Sequence, residues 1–586
     1  MRRFKLNIAI ICLLLFQIEI GFSQDGYVSD LNSESVSTES IYIHSNTSML
    51  FAGEYLYYSL YCFNTETKNL SDLSKMAYVE LISSSGVRVF RHKIRLERGR
   101  GYSDFFLPVE VETGNYKLIA YTNWMQNSDL NQFGISNINI INPYKAVKAQ
   151  NQRNETVSKD SLLMTNVVLE KDSDNNLIQL EKPSYDTRER VKISINTSDL
   201  SKALKGTFSV SVKHKSRITS PQRTDLKDYY EKMEAKSIQL SELKQANHLP
   251  ELRGELYEGE IKALNGGQVQ DLNVAISFAN DRSLFRIART NRDGKFYFNL
   301  DEFYYTEDLF FQVIGEDLQD YKIELKSKLK PVINTLNFET FELKPEWEAD
   351  IINQSVYNQI ENAYFEFRSD SLYIPNKTDF LSEGMFEYYN LDDYNRFNTL
   401  KETIQEFVSK VSIGRDENQD RTFQIQGFDY DTSTGTKPLV LLDGIFVDDH
   451  EQLMDYNAKT IKDITVYRDQ YVIGLSLFQG ALVINSINGL DKNEFLQNGF
   501  FNQLKTIPPQ LQKTYFSQKY DGSGNNNRMP DYRQQLLWLP SLEISEVEDQ
   551  IIEFYTSDVK GLFEIRLEGF TDEGQPISFN KTFEVN

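Results

Sequence analysis

Apolar and polar residues alternate in short runs along most of the chain, and turn residues separate the runs. Tyr55-Leu56-Tyr57-Tyr58-Ser59-Leu60-Tyr61 and Met76-Ala77-Tyr78-Val79-Glu80-Leu81-Ile82 are aromatic and β-branched, as strands are. Residues 83–86 look like a hairpin turn, and Val87, Val89, Ile94 and Leu96 then mark a half-buried strand. Further strands are expected at 104–108 and 116–123, and this spacing predicts a β-sandwich over residues 25–145, closed by Asn142-Pro143. Residues 150–161 read as a polar linker. Runs at 177–181, 191–195 and 206–212 predict a second sandwich over 160–248, with a helix or a loop at 220–245 carrying Leu226, Tyr229, Tyr230 and Met233 on one side. A third sandwich is expected over 250–345, where Asp293-Gly294 separates alternating strands and pins a hairpin. Residues 346–368 and 396–411 have helical spacing, the latter through Phe397, Leu400, Ile404, Phe407, Val408 and Val411. Strands at 438–447, 461–468 and 479–484 complete an α+β domain over 346–495. Three strands near 550–557, 562–568 and 582–585 predict a C-terminal sandwich over 496–586. The fold class is therefore mainly β and multidomain: serial β-sandwiches plus one α+β domain.

The start of the chain changes the picture of where it works. Arg2, Arg3 and Lys5 precede an apolar run at 8–16, and small residues follow near Gln24, the pattern of a secretory signal peptide over residues 1–24. Of the two cysteines, Cys12 lies inside that segment, so cleavage leaves Cys62 as a lone thiol and no internal disulfide. The formal charge is −22 and is more negative still after cleavage, which argues against nucleic acid and anionic membrane surfaces as partners. No later run of apolar residues is long enough for a membrane-spanning helix.

Four stretches together resemble large secreted envelope proteins of Bacteroidetes-type bacteria. Ile94-Arg95-Leu96-Glu97-Arg98-Gly99-Arg100-Gly101, with Gly114-Asn115-Tyr116-Lys117-Leu118 and Tyr121-Thr122-Asn123-Trp124, is similar to macroglobulin-type, immunoglobulin-like sandwiches. Lys182 and residues 185–191 resemble a second such domain. Asp293-Gly294-Lys295-Phe296 resembles the late turn of the carboxypeptidase regulatory-like sandwich, and Leu442-Asp443-Gly444 with the strands at 461–467 and 480–484 is similar to the plug domain of TonB-dependent receptors. The departures are informative. A receptor of that kind needs a barrel of about 22 strands after its plug, and residues 486–586 lack the length for it. The thioester motif of protease-trapping macroglobulins is missing too, since Cys62 stands in Tyr61-Cys62-Phe63-Asn64.

Candidate chemistry is sparse. His44, His92, His214, His248 and His450 are scattered, with none of the spacings that zinc sites use. Asp521-Gly522-Ser523-Gly524 lacks the strand–turn–helix context of a nucleophilic serine. Asp172-Ser173-Asp174-Asn175-Asn176 offers alternating oxygens without the Gly and Glu of a calcium loop. Gly99-Arg100-Gly101 lacks the third glycine of a phosphate loop. Asp443 and Gly444, with Asp448, Asp449 and Glu451, put several carboxylates on one β loop, read either as a partner-binding loop or as turn chemistry. Tyr55, Tyr57, Tyr58 and Tyr61, or Tyr388, Tyr389, Tyr394 and Phe397, are candidates for a partner surface. No catalytic residue, metal ligand or cofactor is expected.

The expectation is a non-enzymatic exported protein of the periplasm or outer membrane that acts as an interaction or scaffold module. Its partner would be an outer-membrane or periplasmic protein, a β-barrel among the candidates. The alternative is an accessory of a TonB-dependent transport system whose barrel is another chain. A hydrolase using acidic residues is the third reading.

Overall fold

The computed structural model describes residues 35–145 apart from 129, then 177–195, 205–218, 221–239, 248–315, 320–326, 336–381, 384–416, 419–427, 436–489, 502–520, 528–545 and 550–586. The expected signal peptide, the linker at 150–161, and the loops at 172–176 and 521–524 lie outside the described residues. Within them the chain is mainly β and built of several sheet units, as its periodicity implies.

The first sandwich pairs a three-stranded sheet (Glu39–Ser45, Tyr55–Asn64, Arg100–Phe106) with a five-stranded one in the order Met49–Phe51, Gly134–Ile141, Gly114–Tyr121, Met76–Ser83, Arg88–Arg95. Side chains alternate along Tyr55–Asn64: Leu56, Tyr58, Leu60 and Cys62 enter the core with Val79, Leu81 and Leu118. Tyr55 and Tyr57 therefore face outward. Their cross-strand partners Phe106 and Asp104 share that face.

The second sandwich is discontinuous. Gly206–His214 lies between Gln535–Ile544 and Gly561–Thr571, with Pro576–Val585 beyond and Ser184–Tyr185 at the edge. The facing sheet is Ile178–Leu180, Arg190–Ile195 and Gln550–Tyr555. Val191, Ile193, Phe208 and Val210 share one core with Phe554, Phe563, Ile565 and Phe583. The expected separate sandwiches at 160–248 and 496–586 are thus a single unit. Alternation marks a strand and its buried face, but it does not name the strand that pairs with it.

In the stretch 220–245, Leu226–Lys232 is a short helix capped by Asp225, whose side chain accepts the Asp228 N–H at 2.8 Å. Leu226, Tyr229, Tyr230 and Met233 pack together against Tyr42, Phe63 and Phe570, so this helix wedges between the first two sandwiches.

The third sandwich sets Glu255–Ala263, flanked by Lys295–Leu300 and Tyr321–Leu325, against Asn273–Phe278 with Arg286–Arg289 and Asp308–Val313. Asn502–Lys505 joins its edge from far along the chain. At the Asp293-Gly294 turn, Gly294 has φ +73°, and a Cβ there would sit 2.5 Å from the Ile261 carbonyl oxygen, so only glycine fits.

The α+β unit is a mixed sheet in the order Phe386–Asn390, Ile461–Ile473, Ser476–Ser486, Leu439–Leu442, Ile445–Phe446, with Leu439–Leu442 parallel to Ser476–Ser486. The helix expected over 396–411 is shorter, Leu400–Phe407: a Thr399/Glu402 capping box starts it, and the chain turns into the strand Val411–Arg415. Leu400 and Ile404 cover one sheet face. The helix expected over 346–368 spans Glu348–Ala363. Among the described residues no helix is long and apolar enough to cross a membrane.

Candidate functional site

The acidic loop is engaged within the chain. Asp443 adopts φ +47°, and its carboxylate accepts the Ser486 N–H at 2.8 Å and the Ser486 hydroxyl at 2.7 Å, tying two parallel strands together. Gly444 has φ +81°, and a Cβ there would lie 2.6 Å from the Phe278 carbonyl oxygen of the third sandwich. The Asn280 N–H donates to the Asp443 carbonyl at 2.7 Å, and the Phe446 N–H to Ser277 Oγ at 3.0 Å. This turn is therefore the joint between the α+β unit and the third sandwich. Asp448 accepts the Gly315 N–H at 2.7 Å, and burial pushes its carboxyl up against that bond. Asp449 is exposed and receives the Glu451 N–H at 3.0 Å. Of the residues singled out on this loop, Asp449 and Glu451 remain open to solvent.

The histidines serve packing. His44 Nδ1 sits 2.5 Å from Ser209 Oγ, His92 Nδ1 2.8 Å from the Tyr58 hydroxyl, and His450 Nδ1 2.7 Å from Thr422 Oγ1. Burial pulls His44 and His92 down to about 4 and His450 to about 3, so all three are neutral near pH 7. His248 is buried beside Asn123, and His214 packs edge-on to Phe563. Among the described residues no group of three or more His, Cys, Asp or Glu is placed to hold a metal ion.

Two buried polar clusters fasten the sandwiches to one another. Between the first and second, Glu568 accepts from the Tyr42 hydroxyl at 2.6 Å and from Arg566 at 2.8 Å, while the Tyr61 hydroxyl donates to the Glu568 carbonyl at 2.9 Å. Burial works to raise the Glu568 carboxyl, but His44, Arg566 and the hydrogen bonds from Tyr42 and Arg566 hold it below the usual range. Between the first and third, Lys93 Nζ donates to Glu255 at 2.5 Å and to Thr506 Oγ1 at 2.7 Å.

Where the first two sandwiches meet the helix Glu348–Ala363, a cavity of about 160 Å³ opens. Its wall is a row of rings. Phe365 and Tyr55 lie 5.9 Å apart with planes 14° from parallel, Tyr55 and Tyr57 5.7 Å at 21°, and Tyr57 and Trp538 5.8 Å at 28°. Tyr515 meets Tyr57 edge-on at 5.1 Å. Carboxylates stand beside the hydroxyls: Asp104 takes Tyr515 at 3.2 Å and Lys513 at 2.8 Å, and Asp370 accepts the Phe516 N–H at 2.9 Å. Burial, then Asp104 and Asp370, pushes Tyr55 up to about 12.

The two aromatic sets named from sequence divide. Tyr55 and Tyr57 line this cavity, whereas Tyr58 lies in the core and Tyr61 in the interface. Tyr394 stacks on Phe407 at 4.2 Å, with Phe397 near the same ring, Tyr389 is buried, and Tyr388 is exposed. Phe365, Asp370, Tyr515 and Trp538 were not foreseen. Nothing local marks them, because hundreds of residues separate them from Tyr57.

No known protein family and no curated protein matches the chain. Solved structures similar to it include Escherichia coli alpha-2-macroglobulin activated by porcine elastase, at 8% identity, covering 94% of this chain and 44% of that one with a TM-score of 0.24. Salmonella alpha-2-macroglobulin reacted with methylamine matches at 9% identity, 94% and 40% coverage, and a TM-score of 0.23. Dimeric latent PorU from Porphyromonas gingivalis matches at 8%, 50% and 34%, and 0.16. The chain spans less than half the length of each of these structures. At scores this low the likeness decides neither domain arrangement nor activity, and the architecture rests on the chain's own sheets.

Proposed function

We propose that this chain is a non-enzymatic, exported envelope protein that acts as an interaction scaffold at the outer membrane. The observation that carries the reading is the use of buried polar groups as fasteners. Lys93–Glu255 and the Arg566–Glu568–Tyr42 cluster lock three sandwiches into fixed relative positions. Buried polar networks of this kind specify one arrangement of parts more than they add stability. The buried, neutral histidines fit the same reading, being committed to packing. The test is co-purification of the native protein from outer-membrane fractions, with the expected result a stable protein complex. A chain recovered as a monomer without a partner counts against it.

A second reading, an accessory of TonB-dependent transport whose barrel is another chain, draws on the α+β unit. Its edge strand Phe386–Asn390 leaves Phe386 57% and Tyr388 55% exposed, a surface on which a partner could settle. Photo-crosslinking from Tyr388 and Asp449 tests it. Recovery of a β-barrel protein supports the reading, and crosslinks that never include one dismiss it.

A further inference from the structure

One carboxylate of the aromatic cavity lacks a direct ion-pair partner among the described residues. Glu54 faces Lys213 at 3.8 Å, Glu361 pairs with Arg368, Asp531 pairs with Arg533 at 2.7 Å, and Asp104 with Lys513 at 2.8 Å. Asp370 has the Phe516 N–H and no ion-pair partner among the described residues. It lies by the hydroxyls of Tyr55 and Tyr57, and burial raises its carboxyl against the Phe516 N–H and Lys513, which lower it, with Asp104 adding to the rise. Asp370 therefore has no cation within ion-pair distance among the described residues, Lys513 acting on it only from farther off, and the faces of the rings carry the negative side of the aromatic quadrupole. An anion would be repelled there, and an uncharged apolar group would leave a half-buried carboxylate unpaired.

We propose that this cavity receives a lysine or arginine side chain from a protein partner, with the charged head at Asp370 and the stem along Tyr55 and Tyr57. Exposed apolar residues beside the lining segment argue for a side chain on a protein over a free amine. The segment that supplies Phe365 and Asp370 also exposes Phe367 (64%), Tyr373 (62%) and Ile374 (66%). Phe106, 39% exposed, touches Tyr55 at 5.1 Å. Exposed apolar residues close in sequence to a polar anchor are what residues flanking an inserted basic side chain would bury. The inference rests on the scaffold reading and gives that scaffold a site and a partner chemistry.

The experiment is calorimetric titration of the full-length protein with acetyl-Leu-Lys-Leu-amide, its glutamine counterpart and butylamine, repeated on Asp370→Asn. Asparagine keeps an oxygen for the Phe516 N–H, and an unchanged melting temperature checks that the variant folds. The expected result is binding of the lysine peptide at least tenfold tighter than the glutamine peptide, with the preference erased in Asp370→Asn. Equal affinity for the two peptides, no binding of the lysine peptide at millimolar concentration, or a preference that survives Asp370→Asn overturns the proposal. Butylamine binding as tightly as the peptide overturns the protein-partner assignment. In outer-membrane pull-downs, an Asp370→Asn chain that captures the same complex as wild type overturns this site and leaves the scaffold standing. A wild-type chain that captures nothing overturns the scaffold itself.

Discussion

Lys93 of the first sandwich and Glu255 of the third, 162 residues apart in sequence, form a buried ion pair with a 2.5 Å hydrogen bond. Tyr304 completes it, donating its hydroxyl to the other Glu255 oxygen at 2.6 Å. The pair fastens the two sandwiches to each other, because neither charge can be hydrated where it lies.

Replacing Lys93 by Met should therefore cost more than a surface change. It leaves the Glu255 carboxylate buried without its counter-ion, a loss of about 3–5 kcal/mol. Urea unfolding of the variant checks this. The double variant Lys93→Met with Glu255→Gln should recover part of the loss, and a Lys93→Met chain as stable as wild type would refute the role given to the pair.

Stability should fall on mild acidification. His44 and His92 have folded-state values of about 4 and His450 of about 3, against 6.5 for an unperturbed imidazole. The unfolded chain takes up these protons first, so the stabilisation is fully present above pH 6.5 and declines as pH drops toward 4. Each histidine contributes up to about 1.4 kcal/mol per pH unit in that window. Denaturation midpoints measured from pH 7.5 to 5 should show the slope, and His450→Gln should reduce it by one proton.

Gly444→Ala should loosen the joint between the α+β unit and the third sandwich. The substitution meets a left-handed backbone and a carbonyl oxygen at 2.6 Å together, for a cost of about 1–3 kcal/mol. Limited proteolysis should then cut near the turn faster than in wild type, while Gly266→Ala, which meets a positive φ but open space, should not change that pattern.

Deleting residues 531–586 should unfold more than the C-terminus. The strand Gly206–His214 would lose both its neighbours, Gln535–Ile544 and Gly561–Thr571. The truncated chain is expected to aggregate in size-exclusion chromatography, and a separately expressed 531–586 segment should restore a folded complex. A well-folded truncated monomer would contradict the shared core.

Cys62 should resist thiol reagents in the native state. It is fully buried, and burial, with Glu39 nearby, pushes its thiol up. Mass spectrometry after alkylation at pH 8 should find Cys62 unmodified in buffer and modified in urea.

Local pattern was enough for the strands themselves, for the Asp293-Gly294 turn and for the helix around Ile404. These depend on neighbours in sequence and on the period of 2 or 3.6 that each backbone imposes. What only the tertiary structure decided is which strands share a sheet and which side chains share a cavity. Gly206–His214 pairs with strands more than three hundred residues away, Asp443 turns out to be a joint, and Tyr57 meets Trp538 and Asp370 across three separate elements. The periodicity of a strand says that one face must be buried, but many faces satisfy that demand equally well. The choice among them is made by the fit of whole surfaces and by buried charges such as Lys93 and Glu255 finding each other.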